Sequence, residues 1–184
     1  QDDILFFTEK SYDNRSLNFS GINAGMLQLE FGLDKPELAY IGGKYVVATT
    51  LSSEDAVAFY KYDKSKAKTQ DALTLEKKIS YNFPPSRVIV KYGHYFVVVG
   101  FKLYIYDSQY NQVSEKDITY SYSDIDIHYD ESNDELYAEP FSLECQVNGS
   151  CVEGRRTYLG IKRLSRDTDT NVIAPSAIVR SKPL

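Results

Sequence analysis

The hydrophobic residues of this chain gather in short runs separated by glycine, proline and polar stretches. Residues 88–107 read V-I-V-K-Y-G-H-Y-F-V-V-V-G-F-K-L-Y-I-Y-D, three runs of strand-forming residues with glycine at the joints. Val, Ile, Tyr and Phe suit a pleated, half-buried surface, and Gly93 and Gly100 can take positive φ where the chain turns. The stretch predicts a β-meander. Upstream, Leu38-Ala39-Tyr40-Ile41, the joint Gly42-Gly43 and Tyr45-Val46-Val47-Ala48 predict a hairpin. Residues 56–63 predict a third strand, residues 73–79 fit a fourth strand or a short helix, and Pro84-Pro85 breaks whatever precedes it.

Downstream of the meander, a polar turn leads to Val113 and Ile118. Residues 125–130, then Leu136-Tyr137-Ala138, then the alternating residues 158–164 give three more strand candidates. At the other end, Ile4-Leu5-Phe6-Phe7 and the alternating residues 26–31 read as strands, with a polar stretch at 8–20 between them and a turn at 32–36. Val172-Ile173 and Ala177-Ile178-Val179 predict a closing strand or a tail.

The units repeat. Gly-Lys-Tyr-Val-Val at 43–47 lies over Gly-His-Tyr-Phe-Val at 93–97, an offset of fifty. Tyr-Lys-Tyr-Asp at 60–63 lies over Tyr-Ile-Tyr-Asp at 104–107, an offset of forty-four, and a longer hairpin loop at residues 50–55 accounts for the difference. Asn133-Asp134-Glu135-Leu136-Tyr137 falls loosely in the same place in a further copy. Strand units recurring every forty to fifty residues indicate a propeller or another repeat array.

On these residues the chain, over 37–166, resembles a β-propeller of four-stranded blades. It has no Trp-Asp dipeptide of the WD40 type, and its Gly42-Gly43 doublet, similar to that of kelch repeats, is not repeated and is followed by no Trp. The resemblance implies a single all-β domain over 1–184, with blades at 1–36, 37–85, 86–124 and 125–166 and a closing strand or tail at 167–184. Four blades would close as a small ring, as in haemopexin-like domains, or form part of a six- to eight-bladed ring completed by another chain or by a further segment. A β-sandwich is the alternative architecture.

Composition narrows the function classes. The chain has 184 residues, enough for one domain with a real core. Its net charge is -5, which argues against a nucleic-acid surface. No apolar run approaches the ~18 residues of a membrane span, so no transmembrane segment is expected. Sixteen Tyr and nine Phe with no Trp supply large apolar bodies, many carrying a hydroxyl, which suit sheet faces and binding surfaces.

Cys145 and Cys151 flank the turn signal Asn148-Gly149, so a disulfide is geometrically plausible; two free thiols are the alternative. Sequons begin at Asn14, Asn18 and Asn148. With the cysteine pair and a first residue, Gln1, that fits a processed product or a fragment, they favour a secreted or cell-surface glycoprotein.

Candidate chemistry is sparse. His94 falls in a predicted hairpin turn and His128 in a predicted strand, each without the partners of a metal site or a triad. No Gly-x-Ser-x-Gly elbow, P-loop or dinucleotide fingerprint occurs, and no cofactor other than calcium is expected. For calcium the best candidates are Asp124 and Asp126, sharing a strand face, with Asp130 and Asp134 in the following turn; a solvated acidic turn is the plainer reading. Asp167-Thr168-Asp169-Thr170-Asn171 begins like an EF-hand loop but lacks its glycine and its final glutamate.

The expected function is a non-enzymatic extracellular protein-binding or assembly module with a protein or glycan partner. The alternatives are a carbohydrate-active enzyme or glycan-binding module using blade-loop carboxylates such as Asp126 and Asp130, and a structural subunit of a surface assembly whose residues 172–184 dock on a neighbour.

Overall fold

A computed structural model describes residues 34–66, 72–118, 125–140 and 156–164, together with the backbone of 5–8, 16–20 and 25–28. The described residues are strands and turns with two single 3-10 turns, and no α-helix lies among them. Four antiparallel sheets follow one another in chain order. The first joins β1 (Leu5–Thr8), β2 (Ser16–Ser20) and β3 (Gly25–Gln28). The second joins β4 (Asp34–Ile41), β5 (Lys44–Leu51), β6 (Ala56–Tyr62) and β7 (Leu73–Ser80). The third joins β8 (Arg87–Lys91), β9 (His94–Val99), β10 (Lys102–Tyr106) and β11 (Gln112–Asp117). The fourth joins β12 (Ile125–Asp130), β13 (Glu135–Pro140) and β14 (Thr157–Tyr158).

The protein is thus all-β and antiparallel, and each sheet is open: among the described residues no strand pairs from one sheet into the next. Two sheets have four strands and two have three, where four-stranded units were expected throughout. The expected polar loop at 8–20 contains β2, so Asn18 sits on a central strand in register with Phe7 and Met26. The expected turn at 32–36 is the start of β4. Pro36 is tolerated there because β4 is an edge strand and its register shifts between Asp34 and Glu37. Residues 73–80 settle as strand, since pairing with β6 decides what the local pattern leaves open.

The second and third sheets share details of register. Ile41 faces Lys44 across the turn Gly42-Gly43 (φ 58° and 79°), and Lys91 faces His94 across Tyr92-Gly93 (φ 51° and 75°). Two-residue turns with positive φ at both positions match the twist of the flanking strands. Tyr45 pairs Tyr62 and Val47 pairs Tyr60; in the next sheet Tyr95 pairs Tyr106 and Val97 pairs Tyr104. The six residues that separate the two offsets are not all loop. β5 and β6 are each two residues longer than β9 and β10, and the connection 52–55 is two longer than 100–101.

Packing explains the unbroken run Tyr95-Phe96-Val97-Val98-Val99. Successive side chains of a strand point to opposite faces. Tyr95, Val97 and Val99 meet Ala39, Ile41, Val46 and Phe59 of the second sheet, whereas Phe96 and Val98 meet Ile125, Ile127, Leu136 and Ala138 of the fourth. The third sheet is therefore buried on both faces, and its central strand has no solvent side to make polar. The second sheet also buries its other face, through Val47, Ala58 and Tyr60.

Side chains tie the first strand of one sheet to the first strand of the next. Glu37 of β4 accepts the Val90 N–H of β8 at 2.9 Å. From β8, Arg87 donates to the Ile125 carbonyl at 2.9 Å and Lys91 to the Ile127 carbonyl at 2.7 Å, both on β12. Burial raises the Glu37 carboxyl above the usual carboxylate range, and Asp126 adds to it, against the pull of the Val90 N–H, Arg87 and Lys91. A carboxyl raised in the folded state contributes stability below the ordinary carboxyl pKa and loses it as pH rises through the folded value. Glu37→Gln keeps an acceptor for Val90 and cannot ionise. It is therefore expected to gain stability over the parent at pH 7.5 and to lose that gain at pH 4, read by urea unfolding at both. An equal difference at the two pH values would contradict this.

Candidate functional site: an aromatic cleft between two sheets

Between the second and third sheets lies a cleft of about 730 Å³. One wall is the start of the link from β7 to β8, which is pinned at both ends. The Tyr81 N–H binds the Asp55 carbonyl and the Ser86 N–H binds the Val98 carbonyl, each at 2.8 Å. Between these anchors the chain bends at Asn82 and Phe83 and then runs through Pro84-Pro85. Phe83 stands in this link, 69% exposed. Phe101, at the tip of the β9–β10 hairpin beside Gly100 (φ 58°), also lines the cleft and is 59% exposed. Among the described residues these are the two most exposed large hydrophobic side chains, and both belong to one concavity.

Tyr81, Tyr104 and Tyr106 complete the aromatic lining. The Tyr81 and Tyr104 rings are tilted at 46° with centroids 5.1 Å apart. The Tyr81 and Tyr106 hydroxyls are 2.8 Å apart, so one proton joins the pair and the other is left for an acceptor. Burial raises both phenols above the ordinary tyrosine value. They stay protonated at neutral pH and act as hydrogen-bonding groups. Asn82, Gln112 and Lys102 add polar groups. The Lys102 ammonium lies 3.2 Å from Glu115 and 3.4 Å from Asp117, and the hydrogen bond to Glu115 leads in raising its pKa. No carboxylate or imidazole lines the cleft among the described residues, so those residues offer it no general acid–base pair of that kind. The arrangement can engage a ligand by stacking and hydrogen bonds.

The acidic residues singled out from the sequence lie elsewhere, on and beside the fourth sheet. Asp126 faces Glu139 across β12 and β13. Its Oδ1 accepts the Ile127 N–H at 2.8 Å and lies 3.3 Å from the Lys91 ammonium. His128 Nε2 lies 3.3 Å from Glu139 and 3.6 Å from Asp126. The His128 ring stacks on Tyr137, and the Arg156 guanidinium sits 4.6 Å from the centre of the Tyr137 ring.

Asp130 closes the β12–β13 turn, accepting from the Ser132 N–H at 2.9 Å, from Asn133 and from the Tyr158 hydroxyl at 2.7 Å. Asp134, with φ 53°, accepts from the Tyr129 hydroxyl at 2.8 Å and from Lys162 at 3.1 Å. The Tyr158 and Tyr129 hydroxyls lead in holding these two carboxyls below the usual range. Protein donors thus already engage oxygens of Asp126, Asp130 and Asp134. Among the described residues no three His, Cys, Asp or Glu side chains are grouped to hold a metal.

Asp124, Cys145, Cys151, Asn14, Asn148 and residues 167–171 lie outside the described residues. His94 opens β9 rather than occupying the turn; it is buried, with Nδ1 2.9 Å from the Tyr92 carbonyl. No helix among the described residues is long and apolar enough to cross a membrane.

The cleft residues carry a signal in the sequence. Phe83 precedes Pro84-Pro85 and Phe101 follows Gly100, so both are large apolar side chains at turn positions, where polar residues are the rule. Compared with known protein families and with curated protein sequences, the chain matches none.

Proposed function

We propose that this protein is a non-enzymatic extracellular binding module, built as a β-propeller-like array of stacked sheets, that seats its ligand in the cleft between the second and third sheets. The observation that carries the reading is the exposure of Phe83 and Phe101 on one concavity with tyrosines behind them and no carboxylate or imidazole in its described lining. The shared register of the two four-stranded sheets, the burial of the third sheet on both faces and the ties between first strands support a blade-like stack. The sequons and the cysteine pair support a secreted or cell-surface location.

The binding reading is tested by titrating the isotopically labelled chain with pools of short peptides and of oligosaccharides. Shifts confined to the Gly100 amide and the Asn82 and Gln112 carboxamides, with ligands recovered intact, are expected. Product that accumulates with time, and is lost in Asp126→Asn or Asp130→Asn, would establish the carbohydrate-active alternative instead. For the compartment, the intact mass of the natively expressed protein is expected to fall on deglycosylation and to rise by two protons on reduction. An unchanged mass in both treatments would remove that support.

A further inference from the structure

We infer that the ligand of the cleft is a proline-rich peptide in the polyproline II conformation, with a basic residue flanking the prolines; this rests on the cleft being the binding site. The first ground is the balance of donors and acceptors. Besides the aromatic rings, the cleft offers the spare phenolic proton of the Tyr81–Tyr106 pair, the Ser80 hydroxyl, the Asn82 and Gln112 carboxamides and the Lys102 ammonium, with Gln112 and Lys102 already engaged by Glu115, and no carboxylate. A sugar presents hydroxyl protons that call for acceptors, and carboxylates are the strongest ones available to a protein. A proline-rich segment presents carbonyl oxygens and few N–H groups, because proline has none. Its polar demand is for donors, which the Tyr81–Tyr106 pair, Ser80 and the Asn82 amide supply.

The second ground is shape. Phe83, Phe101 and Tyr104 offer flat apolar faces at the cleft. Pyrrolidine rings repeat along a polyproline II helix with no internal hydrogen bonds, and the preformed helix loses little entropy on docking. The third ground is charge. Glu115 and Asp117 stand together beside Lys102 on the edge strand β11, two carboxylates to one ammonium, and the Asp117 side chain is 85% exposed. That surplus favours an arginine or lysine next to the prolines.

The test uses the full chain and three probes: a proline-rich peptide of about ten residues ending in arginines, the same peptide with glycine for proline, and an oligomer of N-acetylglucosamine. The proline peptide is expected to shift the Asn82 and Gln112 carboxamides, and the glycine peptide to bind about tenfold more weakly or less. Phe101→Ala should weaken the proline peptide about tenfold, and Asp117→Asn should weaken it while reducing its salt dependence. Phe101 and Asp117 are exposed, and unchanged shifts at the fourth sheet confirm that the variants fold. Equal binding of the proline and glycine peptides overturns the inference. So does an oligosaccharide that shifts the cleft when the peptide does not, although the binding-module reading then stands. If no probe or pool moves the cleft, both fall.

Discussion

Phe96→Ala is expected to lower the free energy of unfolding by about 3–5 kcal/mol, the range for truncating a fully buried aromatic side chain. Phe96 is wholly buried at the centre of β9 and packs against Ile125, Ile127 and Leu136 of the fourth sheet. That face has no solvent route by which the hole can be relieved, and a close-packed interior relaxes only in part. The loss should reach the fourth sheet as well as the third. Urea unfolding gives the total, and amide exchange at β12 and β13 gives the distribution. Loss of protection at β12 is expected alongside β9. A loss under about 1 kcal/mol, as for a surface change, would show that the two sheets do not share this core.

Tyr110→Ala is expected to cost about 2–4 kcal/mol, because one side chain clasps the second and third sheets together. Asp107 shapes the β10–β11 turn by accepting the Gln109 and Asn111 N–H groups at 2.8 and 2.9 Å, and Tyr110 takes φ 66° within it. The ring is thereby carried back over Phe59 of β6 and Tyr95 of β9, with centroids 4.9 and 5.3 Å away. Its hydroxyl donates to Glu76 of β7 at 2.6 Å, and Lys44, paired with the same carboxylate, lies over the ring. Tyr110→Phe keeps the stacking and loses the hydrogen bond, so it should cost only about 1 kcal/mol. A cycle of Tyr110→Phe with Glu76→Gln, read by urea unfolding, isolates that bond. If Tyr110→Ala costs no more than Tyr110→Phe, the ring contributes nothing across the sheets.

The antiparallel β class was legible because the strands that decide it are hydrophobic enough to be read singly. Glycine at Gly43 and Gly93 marked two equivalent turns, since a two-residue hairpin requires positive φ there. The unbroken run through Val97-Val98-Val99 had a two-sided cause, visible only once both neighbouring sheets were in place. β2 was hidden because only Leu17 and Phe19 alternate with polar residues in it. β4 was begun too late because Pro36 reads as a turn unless an edge strand with a register shift can absorb it.

Function was harder to read. Exposure is not encoded at a single position: Phe83 and Phe101 stand out in the sequence only as large apolar residues at turns, and the linker and the hairpin are what leave them beside one cleft. The acidic run, read from the sequence as a solvated turn or a calcium site, has its described residues spread along the fourth sheet. Four residues along a strand separate Asp126 from Asp130 by about 13 Å. Asp130 is thus set apart from Asp126 along the strand, while Glu139 and Lys91 come to Asp126 from other strands and His128 from its own.

The claim beneath both the fold and the proposed function is that the sheets stack in series, so that the third has a neighbour on each side. Methyl-labelled valine tests it at two adjacent residues. Nuclear Overhauser contacts should run from Val97 to the second sheet, at Val46 and Ala48, and from Val98 to the fourth, at Ile127 and Leu136. Contacts from both residues to a single sheet, or a solvent-exposed methyl at either one, would mean a two-layer sandwich in place of the stack.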